Sequence, residues 1–119
     1  METSSGLSKD QLPLAEFFKE ELRDIYGAEK QLAQVLPKLR KAATSPDLAM
    51  AFADHLTVTQ NQISRLEQIF QILGEKVEAK KCEGMEGLIK EGESVIQDTE
   101  AGSATRDVGL IVSAQKLEH

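Results

Sequence analysis

Tryptophan is absent from this chain, tyrosine occurs once and phenylalanine four times in 119 residues. A core must therefore come from Leu, Ile, Val, Ala and Met, and with few aromatic or β-branched clusters that composition favours helices over strands. Cysteine also occurs once, as Cys82. A single thiol excludes an internal disulfide and any paired-cysteine zinc or redox motif, leaving the ordinary role of a small core residue. Positive charge is in short supply: 14 Lys and Arg face 20 Asp and Glu, for a formal net charge of -6 and a pI near 4.9. Such a chain repels nucleic acid and anionic membranes, and no basic groove-reading motif offsets this, so no nucleic-acid partner is expected. No apolar run approaches membrane-spanning length, and the first ten residues lack the basic start and apolar stretch of a signal peptide. No membrane association is expected, and the compartment expected is the cytoplasm.

What is present is ordinary for a globular protein: 40% hydrophobic and 29% charged residues, enough for one domain over residues 1–119 with a flexible start of about twelve residues. Leu14, Phe18, Leu22, Ile25, Glu29, Leu32, Leu36 and Leu39 follow one another at alternating steps of four and three, which predicts a first helix running to about Ala42. Pro37 removes one backbone hydrogen bond but the apolar register continues past it, so a kink is expected there rather than an end. Thr44-Ser45-Pro46-Asp47 then stops and restarts the chain: Ser45 can cap, Pro46 suits a first turn and Asp47 complements the next helix dipole. A second helix follows from about Pro46 to Leu73, with Gly74 placed to end it.

Glu75–Lys81 reads as a charged connector. The third helix, of about sixteen residues, carries Met85, Leu88, Ile89, Gly92, Val95 and Ile96 on one face. Gly84, Gly87 and Gly92 weaken it, and point either to the close approach of another backbone or simply to a marginal helix. After a loop over Gln97–Ala104, Ser103 or Thr105 can cap a fourth helix that has Asp107 in its first turn and a seam of Val108, Ile111, Gln115 and Glu118. This helix stops barely four turns after it starts, so it is expected to be truncated, leaving a hydrophobic groove that self-association would cover. Leu117-Glu118-His119 also matches the remnant of a common C-terminal tag. The fold class expected is all-α, an antiparallel four-helix bundle with a truncated fourth helix.

The seams contain polar residues that a plain core would not need. On the second helix, Leu48, Phe52, His55, Thr59, Gln62, Leu66, Ile69 and Leu73 turn polar for three consecutive positions. Glu29 lies on the first seam, Glu86 at the edge of the third, and Gln115 and Glu118 on the fourth. Converging carboxylates repel one another and lose hydration, so they need protons, cations or hydrogen-bond donors. A pair of iron or manganese ions is one solution, held in helical bundles by inward-facing Glu and Glu-x-x-His pairs. On that reading Glu29, His55, Glu86 and Glu118 are the metal ligands, with Tyr26, Thr59, Gln62 and Gln115 as supporting groups around them. Glu86 is chosen by its spacing of 32 residues to Glu118, with Glu91 as the substitute. The plain reading of the same residues is a hydrogen-bonded layer that fixes packing, with Glu29 paired to His55 or Tyr26. His119 points about 100° away from Glu118 on a helix and is read as a non-ligand.

The runs Phe18-Lys-Glu-Glu-Leu-Arg-Asp-Ile-Tyr-Gly-Ala-Glu-Lys-Gln-Leu32, Leu36-Pro37-Lys38, His55-Leu-x-x-Thr59-x-x-Gln62-x-x-Arg65-Leu66-Glu67, Cys82-x-x-Met85-Glu86-Gly87-Leu88-Ile89-x-Glu91-Gly92 and Gln115-x-x-Glu118-His119 resemble the YciE/YciF family of bacterial ferritin-like proteins. The resemblance implies a ferritin-like four-helix core, a dimer, and a link to stress responses, without implying a particular reaction. Two functions follow as expectations. One is a stress-response protein with a di-metal carboxylate centre of iron or manganese. The other is a non-catalytic helical interaction or structural protein whose buried polar layer fixes packing.

Overall fold

The computed structural model describes residues 11–118 of the chain. Most of the expected flexible N-terminal segment, and His119, lie outside the described residues. Four helices follow one another: α1 (Gln11–Ala42), α2 (Pro46–Ile72), α3 (Glu83–Asp98) and α4 (Ala104–Glu118). They form an all-α bundle of 59 × 22 × 17 Å.

The local signals act as their chemistry requires. α1 runs for 32 residues with Pro37 inside it, and Arg40 and Lys41 in the last turn complement the negative end of its dipole. Ser45 caps α2, its hydroxyl accepting from the Leu48 N–H at 3.4 Å, and Pro46 opens the helix. Gly74 ends α2 at φ 70° and Gly102 turns the chain before α4 at φ 81°, a backbone region in which a Cβ is strained. The Ser103 hydroxyl accepts from the Arg106 N–H at 3.1 Å and so caps α4.

α1 and α2 form an antiparallel hairpin in which the Thr44–Asp47 corner sets Tyr26 opposite Glu67 and Phe70. The chain then returns along α1. The Lys80 N–H donates to the Arg23 carbonyl at 3.0 Å, and Gln31 clasps Cys82 twice, accepting from its N–H at 3.0 Å and donating to its carbonyl at 3.3 Å. Cys82 is half-buried and sits at the N-cap of α3 rather than in the core. α3 runs in the same direction as α1, with Lys38 paired to Glu93 at 2.9 Å, and α4 folds back antiparallel to α3. Arg106 locks that second hairpin by donating to the last carbonyls of α3, Ile96 at 2.5 Å and Thr99 at 2.7 Å. α4 thus runs parallel to α2, as Asp107 beside Thr44 and Ser45 at one end and Glu118 beside His55 at the other require.

Leu32, Val35, Leu36, Leu39, Phe52, Leu110 and Leu117 make the main core, with Met85, Leu88, Ile89, Val95 and Ile96 of α3 packed against it. A smaller cluster of Leu22, Tyr26 and Phe70 holds the far end of the first hairpin. Each such side chain contributes about 1.5–3 kcal/mol on burial. Below the level of Glu29 the α1 stripe loses its cover: Leu14 is 68% exposed and Phe18 and Ile25 are each 51% exposed.

The close approaches fall at other glycines than the three expected in α3. A Cβ on Gly84 or Gly87 would meet no neighbouring backbone, and one on Gly92 would make only ordinary 3.8 Å contacts with Leu39 and Ser113. At Gly27 a Cβ would lie 1.9 Å from the Lys80 carbonyl oxygen, and at Gly109 it would lie 2.6 Å from Val95. Gly27 is what admits the returning connector. In the glycine positions of α3 the low helix propensity is not matched by tight packing.

Candidate functional site

Three helices bring ionisable groups to one place. Glu29 stands on α1 where the core seam passes from Leu32 down toward Ile25; it is half-buried. His55 is half-buried on α2, one turn beyond Phe52, and Glu118 lies in the last turn of α4. The parallel course of α2 and α4 sets His55 Nε2 against the Glu118 carboxylate. Nε2 is shielded from solvent at that contact.

Burial raises the pKa of Glu29 above the usual carboxylate value, the negative charge of Glu118 raises it further, and His55 partly offsets both. An apolar hollow of about 260 Å³ opens beside the pair, lined by Leu36, Phe52, Ile111 and Ala114 among others, with His55, Gln115 and Glu118 as its polar members. Gln115 is itself exposed. Thr59, one turn from His55, is only 2% exposed.

Several of the expected members stand elsewhere. Gln62 is exposed: it stands about two turns beyond His55, past the level at which Glu118 ends α4 beside α2, so among the described residues no helix covers that side. Glu86 pairs with Lys81 at 2.8 Å; its pKa is lowered chiefly by that bond, and it has no part in the electrostatics of Glu29. Its placement follows from chain direction: α3 runs alongside α1, and its first turn is held beside the connector. Glu91, the substitute, pairs with Lys116 at 3.0 Å. Tyr26 is buried and donates to Glu67 at 2.8 Å rather than to Glu29, with Phe70 edge-on at 5.5 Å and the Lys30 ammonium 5.8 Å from its ring centre. Burial and that bond push its pKa up to about 12. Glu67 is adjacent to the core seam and not on it, and only the folded pairing of α1 and α2 brings it to Tyr26. Among the described residues no group of three or more His, Cys, Asp or Glu side chains is assembled that could hold a metal ion.

Comparisons with known proteins accord with this architecture. The family described as a domain of unknown function, DUF892, matches residues 13–119. Protein YciF of Escherichia coli (strain K12) is 44% identical over 99 residues, covering 82% of this chain and 59% of that protein. Two solved structures are similar. YcfI from Rhodopseudomonas palustris, proposed to be a structural protein, has a TM-score of 0.84 at 36% identity, over 95% of this chain and 71% of that one. The E. coli stress protein YciF has a TM-score of 0.75 at 44% identity, over 82% of this chain and 62% of that one. The chain thus spans less than two thirds of the length of YciF. On the length and identity of these matches, the chain belongs to the DUF892 family of YciE- and YciF-like proteins.

Proposed function

We propose that this chain is a cytoplasmic stress-response protein in which Glu29, His55 and Glu118, drawn closer together than they stand in the structure, take up a divalent iron or manganese ion. The observation that carries the proposal is that Glu29 on α1 lies within electrostatic reach of the His55–Glu118 contact between α2 and α4. Glu29 is held above its usual pKa by burial and by that second carboxylate. A cation placed between them would offset the repulsion of the two carboxylates, and the donor types suit iron and manganese. The route from α2 to α4 through α3 also resembles the single long crossover of ferritin-like bundles. With Glu86 and Gln62 elsewhere, the donors in this chain suit one ion rather than the expected pair.

When bound, iron or manganese would supply redox chemistry toward oxygen or peroxide. The residues themselves have simpler tasks. Glu29 would offer its carboxylate from α1, and Glu118 would have to turn from His55 far enough for both to face a shared ligand. The apolar walls of Leu36, Phe52 and Ile111 limit the water that competes there. Metal-free protein titrated with Mn²⁺ or Fe²⁺ under nitrogen should take up one equivalent and lose it in Glu29→Gln. Uptake that is absent, or unchanged in that variant, refutes the proposal.

A second reading is favoured by the His55–Glu118 contact itself: the pair acts as a clasp that sets α4 against α2, and the protein is structural. On that reading no metal binds and His55→Leu is neutral or stabilising, because an apolar side chain would extend the core of Phe52 and Leu36. Self-association belongs to either reading. The exposed Leu14, Phe18 and Ile25 stripe is an apolar surface suited to a second copy of the chain. Light scattering should show a dimer at tens of micromolar; a monomer would rule it out.

A further inference from the structure

The upper end of the α1–α2 hairpin holds a second hollow, of about 340 Å³, on the side away from the connector. It exists because of side-chain size. On α2 the residues facing it at Ala49 and Ala53 are too short to reach α1, and on α1 the ring of Pro37 is compact. Leu36, Phe52 and Leu56 form its apolar floor, and Leu36 and Phe52 are almost completely buried. Its rim is different in kind. Arg40 and Lys41 both line it, both are exposed, and among the described residues neither side chain takes part in an ion pair.

The pair has a helical role as well, since cations in the last turn of α1 favour its dipole. That role would be served equally by cations over a filled surface. Here two cations that form no ion pair among the described residues stand over an unfilled apolar hollow in a chain of net charge -6. The volume falls within the range of small-ligand sites, whose usual make-up is an apolar lining with a few polar groups that fix orientation.

We propose that this hollow binds an amphipathic anion: a carboxylate or phosphate headgroup held by Arg40 and Lys41, with a medium-length acyl or alkyl chain on Leu36, Phe52 and Leu56. The geometry divides recognition between the two parts. The guanidinium can grip a planar carboxylate or a phosphate with two parallel bonds, the lysine adds a point charge, and the chain replaces water against the floor. None of Glu29, His55 and Glu118 lines this hollow; His55 and Glu118 line the other one, which shares only Leu36 and Phe52 with it.

Isothermal titration of the full chain with sodium decanoate at low salt tests this. One decanoate should bind per chain, and affinity should rise about fourfold for each methylene through hexanoate, octanoate and decanoate. The double variant R40Q/K41Q should weaken decanoate about tenfold with its helical circular dichroism unchanged, whereas K38Q, whose side chain pairs with Glu93, should bind as the parent does. Decanol should bind the parent no better than decanoate binds R40Q/K41Q. A53F fills the hollow and should abolish binding. Decyl phosphate distinguishes the headgroups: the tighter of decyl phosphate and decanoate identifies the natural class, and saturable binding of either supports the site. Absence of saturable binding by both, affinity independent of chain length, or full affinity in R40Q/K41Q overturns it. If A53F proves unfolded, the chain-length series and the charge variants still decide.

Discussion

Gly27→Ala is the substitution that most directly tests how the bundle is held together. In isolation it should help, since alanine inside a helix is favoured over glycine by about 1 kcal/mol. The structure reverses that sign. The new methyl would lie 1.9 Å from the Lys80 carbonyl oxygen and 2.8 Å from its carbon, and both partners are backbone, so no side chain can turn aside. The connector must lift from α1. Lifting it breaks the Lys80 to Arg23 backbone bond and strains the double clasp of Gln31 on Cys82, at about 1 kcal/mol for each hydrogen bond. It also loosens Glu75 and Glu78 from Lys19 and Arg23, exposed or partly exposed pairs that contribute about 0.2–1 kcal/mol each. Against the propensity gain, a net loss of about 2–3 kcal/mol is expected. Gly87→Ala is the control, because nothing stands near its added methyl; it should stabilise by about 1 kcal/mol. Urea denaturation followed by circular dichroism should therefore order the proteins Gly87→Ala, parent, Gly27→Ala. A Gly27→Ala protein as stable as the parent or more so would show that the connector does not rest on α1 as described.

Two further outcomes follow from the titrating groups. Tyr26 is the only tyrosine, so ultraviolet absorbance reads it alone: the folded protein should ionise it at about 12, and Glu67→Gln should bring the midpoint down. Because the folded pKa is raised, its contribution to stability is intact below the ordinary value of 10 and is lost as pH climbs toward 12; ionisation at 10 with the fold intact would contradict the burial and the bond to Glu67. Glu29 is also raised in the folded state, so its contribution is fully present below 4.5 and declines as pH rises through the folded value. The parent should lose stability relative to Glu29→Gln across that rise when both are unfolded in urea at a series of pH values. Parallel stability profiles would show that Glu29 does not feel burial and Glu118.

The helices and their ends were legible because their determinants are local. Ser45, Pro46 and Gly74 act within one turn of themselves, and the apolar register of α1 carries through Pro37 without help from elsewhere. Three of the four expected ligands were legible as an anomaly for a related reason: Glu29, His55 and Glu118 are polar at positions whose neighbours on the same face are core residues, which is visible in one dimension. The partners of those residues were not visible. A spacing of 32 residues between Glu86 and Glu118 carries no information about whether two helices run alongside each other at the level of those residues, and α3 meets α4 at Val95 and Gly109 rather than at its first turn. Tyr26 likewise finds Glu67 through the register of a hairpin corner 20 residues away in each direction, which only the folded pairing of α1 and α2 discloses. Which carboxylates reach the junction is thus decided by the direction of α3 and not by how many the seams contain. Returning beside α1 with its acidic first turn next to Lys81, α3 leaves the junction to α1, α2 and α4. On the metal-binding proposal this topology would register in solution as one ion bound per chain, and two ions bound per chain would refute it.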